Sequence, residues 1–587
     1  MTRPPLSHAV SRSAGLAGCA ALALVFSLLS PPGVDAQAGP TGSTAPTTLD
    51  LILRGGQILD GTGNPWFHGD VGIRDGRIAA VGDLSGVTAT NDVDVSGHMV
   101  APGFIDIHSH GDGRLMHEDP RYRAAPSLVA QGITTVVINQ DGRSPWPIRD
   151  QVATLVERGH GPNVIVLVGH GQVRRLAMED DVDRPATSDE IERIRELVRE
   201  GVADGAWGIS SALEYNPGRW AETDEVVAAV GEVFAGGGVY VAHQRSEGSD
   251  PMWYWPSQDE PGPPTLIDAV LETIEIAERT GVPSVASHLK AKGSHYWGTS
   301  HTVIQLIESA RERGVPIYGD HYPYETTGSD GNTVLIPGWA FARGRELLGD
   351  ADASNADAIE AVLAVEEQAV ALRGDVAHEI RRRGGPDRLL ILSHPDESLD
   401  GRSVEELARE WELDPVDVAF RLQSEGDRSR RGGAHLRGFS LHEMDFEAYA
   451  SRDWMLTASD GGIAVPEDGF VHVRFYGTFP RRIGHYARDR GVLSVPHAVR
   501  SATSLPAQVL GLKDRGQVRE GFVADLVVFH PDDLEDRTTF FEPHQFPAGL
   551  PHVLVEGTFV VRDGELTGAL PGRVLTPTED RGLPRLP

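Results

Sequence analysis

From residue 99 onward the chain repeats one rhythm: a short apolar run, a stretch with apolar residues at helical spacing, then a turn. The runs are "MVAPGFIDIH", "GITTVVIN", "NVIVLVGH", "GAWGISSAL", "GVYVAH", "VPSVASH", "VPIYGDHY", "RLLILSH" and "WMLTASD". Each is short and mainly apolar, which is the pattern of a parallel strand buried on both faces. The spacing predicts helices over 188–205, "SDEIERIRELVREGVADG", and 263–281, "PPTLIDAVLETIEIAERTG", each stopped by glycine. About eight such βα units close a barrel. Nine candidate strands are present, so one is not a stave. The stretch 344–440 is unusually charged and helical, which makes it an insertion and assigns "RLLILSH" to it. The expected fold is α/β: a (β/α)8 TIM-type barrel over 101–513.

The ends of the chain follow a different period. "LDLILRGGQILDGTGNPWFHGDVGIRDGRIAAVG" alternates and turns at Gly-Gly, Asp-Gly and Gly-Asn, as hairpins do. "GQVREGFVADLVVFHP" and "VLVEGTFVVRDGEL" repeat the pattern near the other end. Together they predict a small β-sandwich domain built from both termini, residues 49–100 plus 514–575. Ahead of it, 37–48 is a small-residue linker. Residues 1–36 read as a signal peptide, with Arg3 and Arg12 before the apolar run Leu16–Leu29, so the mature protein is expected to be exported, periplasmic or secreted.

Composition narrows the partners. A formal charge of −32 argues against nucleic acid, and with the leader removed no stable membrane association is expected. Cys19, in the leader, is the only cysteine, so neither a disulfide nor a thiolate ligand is available to the mature chain. Nothing in the sequence specifies an oligomeric state.

The chemistry lies where the apolar runs end. "FIDIHSH" finishes in His108 and His110, "VYVAH" in His243, "PSVASH" in His288 and "MLTASD" in Asp460. In a (β/α)8 barrel these strand ends meet at one mouth. A His-x-His pair on a strand faces one side, and several imidazoles with a carboxylate suit a divalent metal such as zinc. "SHLKAKG" adds two of the three lysines of the chain. Lys290 shares the side of His288 and can reach the mouth as a compact point charge; Lys292 is expected to be solvated in the following loop. His170, Glu214 and Tyr215 also end strands, and the aromatic stretch 249–264 is either a wall of the pocket or ordinary packing.

These features resemble the D-aminoacylase (N-acyl-D-amino-acid deacylase) family of the metal-dependent amidohydrolase superfamily. "PGFIDIHSHGD", "GHGQVR", "HQRSEG", "SHLKAKG", "DHYPY", "HVRFYGTFPRRIGHY", "SATSLPAQVLGLKDRGQV" and "TGALPGRVL" carry the resemblance, in order, from about residue 50 to 575. It implies that His243 and His288 hold the tighter metal, that His108 and His110 serve a weaker second site, and that Asp460 is the catalytic acid/base. It assigns Lys290, Tyr322 and Arg474 to substrate, with Arg474 on the α-carboxylate. Where the family has a cysteine shared by the two metal sites, this chain reads "NQDG", with Asp141 in its place. Asp141 is then either a bridging carboxylate, harder than thiolate, or simply a turn residue.

The implied reaction is metal-dependent hydrolysis of an N-acyl-D-amino acid, with one or two Zn2+ or another divalent ion, metal-bound hydroxide as nucleophile and Asp460 moving the proton. The alternatives are another amidohydrolase reaction, on cyclic amides or dipeptides, and a non-catalytic barrel with a decayed metal site.

Overall fold

The computed structural model of the protein describes residues 48–179, 181–328 and 332–582. The leader at 1–36 lies outside them, as does the linker up to Thr47. No helix among the described residues is long and apolar enough to cross a membrane.

Eight parallel strands form the barrel: Phe104–Asp106, Ile133–Ile138, Asn163–Val166 continued by Val168–Gly169, Gly208–Ala212, Val239–His243, Ser284–Ala286, Ile317–His321 and Met455–Thr457. They pair in sequence order. The ring closes just beyond the eighth strand, where Gly461 and Gly462 pair with Ser109 and His110. There the Asp460 amide donates to the His108 carbonyl at 2.9 Å, so closure itself brings the last strand's carboxylate beside the first strand's histidines. Ile133–Ile138 is buried at every position, as a strand covered on both faces must be. Ile105, Val137, Ile165, Val241, Val285 and Leu456, from six strands, pack in one cluster.

The surrounding helices start and stop as their sequences dictate. Ser188–Ala203 begins on a capping box in which Thr187 and Glu190 satisfy each other's amides. Leu266–Thr280 begins on the same device, Thr265 with Asp268, and ends at Gly281, whose φ of 69° suits glycine.

The run at 388–394 is not a stave. Leu389–Ser393 pairs antiparallel with His435–Gly438. Both belong to an insertion between the seventh and eighth strands, with helices Gly338–Leu348, Asn355–Leu363, Glu366–Arg382, Val404–Trp411 and Pro415–Glu425. The insertion has its own core, including Phe341, Ile359, Val376, Leu407 and Leu436.

Nine strands from both ends of the described chain form one sheet. Leu49–Ile58 is its hinge: its first half pairs with Ala89–Asp94, its last residues with Met99–Pro102. An irregularity between Leu53 and Gly56 separates the halves. Leu526–Phe529 joins this sheet against Met99–Pro102 and so ties the late chain to the early one. Leu53, Val71, Val100, Leu526 and Leu554 share its core.

Phe104 opens the first barrel strand, fully buried and stacked on Phe479 with ring centroids 5.4 Å apart. Phe104→Ala should lower stability by about 3–5 kcal/mol, the usual cost of a cavity of that size. Phe541→Ala, at a 46% exposed side chain, should shift it by less than about 0.5 kcal/mol. Urea unfolding midpoints check both.

Candidate metal centre

The strand ends converge. His108 Nε2 lies 3.4 Å from His110 Nε2, and His110 Nε2 lies 3.1 Å from Asp460 Oδ1. Asp141 enters from the turn after the second strand. Its Oδ1 is 3.2 Å from His243 Nδ1, 3.7 Å from His108 Nε2 and 3.9 Å from His288 Nε2, while its Oδ2 is 3.6 Å from His110 Nε2. Asp141 therefore sits among all four imidazoles, with one oxygen toward His243 and His288 and the other toward His110.

Local backbone makes this possible. Asp141, His288 and Asp460 hold positive φ values of 56°, 36° and 47°, a region that non-glycine residues rarely adopt. The turn carrying Asp141 is pinned by Ser210, whose Oγ accepts from the Gly142 amide at 3.1 Å and donates to the Asn139 carbonyl at 2.6 Å. A Cβ at Gly142 would come within 3.1 Å of the Ala212 amide nitrogen, so the turn needs glycine there.

The imidazoles are oriented from behind. His108 Nδ1 lies 2.5 Å from Ser287 Oγ, which donates to Asp320 Oδ2 at 2.6 Å. Nδ1–H of His108 thus points at serine, and its Nε2 lone pair faces the cluster. Asp320 also accepts from the His288 amide at 2.6 Å. His243 Nε2 faces Glu214 Oε2 at 3.1 Å, leaving Nδ1 toward Asp141. His288 Nδ1 lies 3.3 Å from Glu247 Oε1. Beneath the cluster, Asp106 accepts from the Ser459 amide and hydroxyl at 2.9 and 2.5 Å, and burial pushes its carboxyl up to about 7.

The donor set fits a divalent cation. Asp141 Oδ1 and His243 Nδ1, 3.2 Å apart, make no well-directed hydrogen bond to each other or to any other group, and such buried atoms are costly unless something binds them. Burial disfavours charge on His243, yet Asp141 and Glu214 push its imidazole up to about 10. The crowded oxygens therefore call for positive charge at this point. Asp141 Oδ1 stands between His243 and His288, and among the described residues three groups have all their donor atoms close together: His108 with His110 and Asp460, His108 with Asp141 and His288, and His243 with Glu247 and His288. The third is unsuited. Both oxygens of Glu247 already meet ammonium groups, Lys290 Nζ on Oε1 and Lys292 Nζ 3.3 Å from Oε2, which would repel a cation there.

Lys292 corrects an expectation. It is fully buried rather than solvated, because its ammonium pairs with Glu247 and its amide donates to the Glu247 carbonyl at 3.1 Å. Burial first, and Arg382 next, lower its ammonium to about 8. Lys290 is buried too, and although burial opposes charge, Glu247 and Tyr322 hold its ammonium above the usual lysine range.

Arg474 begins helix Arg474–Arg481 and places Nη1 2.7 Å from Asp460 Oδ2. Burial favours the neutral acid, but Arg474 and His110 outweigh it and hold Asp460 well below the usual carboxylate range. The Tyr322 ring lies 4.6 Å from the Arg474 guanidinium and 5.5 Å from Lys290 Nζ. Its hydroxyl donates to the Thr326 carbonyl at 3.2 Å, and its ring face lies toward the two cations.

A cavity of about 1280 Å3 opens over the cluster, lined among others by His110, Asp141, His288, Lys290, Asp460 and Arg474. Met252, Trp253 and Trp255 of the aromatic stretch line it as well, as does Tyr215. His170 turns elsewhere, its Nε2 3.0 Å from Glu225 Oε1 beside Arg174. Glu247 and Ser287 escaped sequence reasoning. Glu247 stands four residues after His243 within "HQRSEG", and Ser287 directly precedes His288.

A closed (β/α)8 barrel with histidines and carboxylates gathered at its strand ends, beside a β-domain built from both ends of the chain, defines a metal-dependent amidohydrolase. Residues 92–252 and 430–561 match the amidohydrolase family. A D-aminoacylase from Alcaligenes xylosoxydans xylosoxydans is 33% identical over 553 residues, covering 90% of this chain and 98% of that one. Among solved structures, a D-aminoacylase with a binuclear metal centre superposes with a TM-score of 0.68 at 33% identity, over 90% of this chain and all of the other. An N-acyl-D-glutamate deacylase from Bordetella bronchiseptica, complexed with zinc and a phosphonate mimic of the tetrahedral intermediate, gives 0.68 at 29% identity, with 90% and 100% covered. The chain belongs to the D-aminoacylase family of amidohydrolases.

Ser287 links His108 to Asp320 and reaches no cavity wall. Ser287→Ala should therefore weaken divalent-metal binding by about 10–100-fold, the usual cost of losing a partner behind a ligand. Titration of metal-free protein against a chromophoric chelator measures it.

Proposed function

We propose that the protein hydrolyses the amide bond of N-acyl-D-amino acids, giving a carboxylic acid and a free amino acid. The observation that carries this reading is the juxtaposition of the Asp141-centred imidazole cluster with two buried cations, Lys290 and Arg474, in one cavity. The relatives that act on N-acyl-D-amino acids support it.

His243, His288 and Asp141 would hold one divalent ion. His108 and His110, with Asp141 or Asp460, would hold a second. Zinc is the expected ion, since imidazole suits it and one relative carries it. A divalent ion there supplies a water of lowered pKa and polarises the amide carbonyl.

The rest falls to the chain. Asp460 rests as an ionised base, because Arg474 and His110 outweigh its burial. Its Oδ1, beside His110, accepts the proton of the attacking water and returns it to the nitrogen of the departing amine. Lys290 and Arg474 pair with the free α-carboxylate, and holding it fixes which face of the Cα meets the cluster. Glu247 and Tyr322 keep those cations charged and in place. A cyclic amide carries no such carboxylate, so the two cations favour the deacylase reading over a hydantoinase-like one. The leader at 1–36, outside the described residues, supports export of the mature enzyme.

A panel of N-acetyl-D- and L-amino acids, with a dihydropyrimidine and a dipeptide, tests the assignment. The D-series should be hydrolysed preferentially; turnover confined to the cyclic amide would contradict it. Asp460→Asn should lower kcat by about 10²–10⁴-fold, the range for losing a general acid/base. Arg474→Met should raise KM for N-acyl-D-amino acids, because it removes a carboxylate partner. Full activity in Asp460→Asn would remove the role given to that residue.

A further inference from the structure

We propose that Arg382, the last residue of the insertion helix Glu366–Arg382, is a positioning residue for the metal centre, acting on His243 through Glu214. The inference rests on the reading that His243 holds metal, and extends it to a module that sequence reasoning set apart from the barrel.

Arg382 is 2% exposed and surrounded by carboxylates. Its Nη2 lies 3.7 Å from Glu214 Oε1, its Nε 3.0 Å from Asp250 Oδ1 and its Nη1 3.5 Å from Glu379 Oε2. Glu214 is equally buried. Its other oxygen, Oε2, faces His243 Nε2 at 3.1 Å, and Oε1 also accepts from the Met252 amide. On the far side of the same ring, His243 Nδ1 lies 3.2 Å from Asp141 Oδ1. A continuous path therefore runs from the insertion guanidinium through Glu214 and the imidazole to the carboxylate at the centre of the cluster.

Each link has a physical consequence. A carboxylate opposite His243 Nε2 keeps the proton on that nitrogen, so the Nδ1 lone pair is available for metal. A buried carboxylate keeps one orientation only where both oxygens meet partners, and Arg382 stands against Glu214 Oε1 while Oε2 faces His243. Without Arg382, only the Met252 amide holds Oε1, the carboxylate is free to turn, and His243 loses the partner that orients its ring. Asp250 would lose its arginine by the same change and keep the Ser249 hydroxyl at 2.6 Å and His378 Nε2 at 3.4 Å, the latter from the same helix. The helix is thereby clasped to the loop after the fifth barrel strand, next to Met252 and Trp253 of the cavity wall. By contrast Arg373, on the same helix, pairs with Asp417 inside the insertion and is 42% exposed. The helix thus turns Arg373 to its own module and Arg382 to the barrel.

The test is zinc affinity, measured on metal-free full-length protein by chelator competition, with circular dichroism to confirm folding. Arg382→Met and Glu214→Gln should each weaken zinc by about 10–100-fold. Because they act on one path, the double variant should be no weaker than the worse single within about threefold. Arg382→Lys should recover part of the loss, and Arg373→Met should bind as wild type. Zinc affinity of folded Arg382→Met within about twofold of wild type would overturn the proposal, as would losses that multiply in the double variant. If Arg382→Met does not fold, Arg382→Lys alone and combined with Glu214→Gln decide by the same comparison. Wild-type protein that binds no zinc removes the metal reading and this proposal together; normal binding by wild type and Arg382→Met alike removes this proposal alone.

Discussion

The centre is organised by one carboxylate among imidazoles. Asp141 Oδ1 stands within 4 Å of nitrogen atoms on His108, His243 and His288, and Oδ2 within 4 Å of His110. These residues come from the ends of four different strands, so the cluster exists only if the barrel closes in register. Closure at Gly461 and Gly462 then adds Asp460 to it. The left-handed backbone at Asp141, His288 and Asp460 is a local cost that the barrel framework sustains.

Charge balance governs what surrounds the cluster. Glu214 and Glu247 stand behind His243 and His288, and Asp320 behind His108 through Ser287. Buried carboxylates are tolerated because buried cations answer them: Arg382 at Glu214, Lys290 and Lys292 at Glu247, Arg474 at Asp460. The paired lysines of "SHLKAKG" thereby acquire a shared reason. Arginine at either position would bring a broad planar fork into space that two compact ammonium groups share on one carboxylate.

Much of this was legible in the sequence, and the exceptions have a common cause. Barrel staves announced themselves as apolar runs, and the residues of the cluster as the polar residue that ends each run. The run at 388–394 looked like a stave but sat in charged, helical surroundings, and it pairs within the insertion. Lys292 misled because its position in a loop implies solvent, whereas Glu247 and Arg382 enclose it. Arg382 lies ninety residues further on, on a helix whose place against the barrel no local pattern encodes. Local periodicity locates strand ends; it does not reveal which distant side chain neutralises them.

The most direct measurement is metal content, by inductively coupled plasma analysis, of wild-type and Asp141→Ala protein purified and dialysed side by side. At least one equivalent of a divalent metal per wild-type chain, and a substoichiometric amount in the variant, is the result expected of a carboxylate at the focus of four imidazoles. Equal metal in both proteins, or none in either, would contradict it.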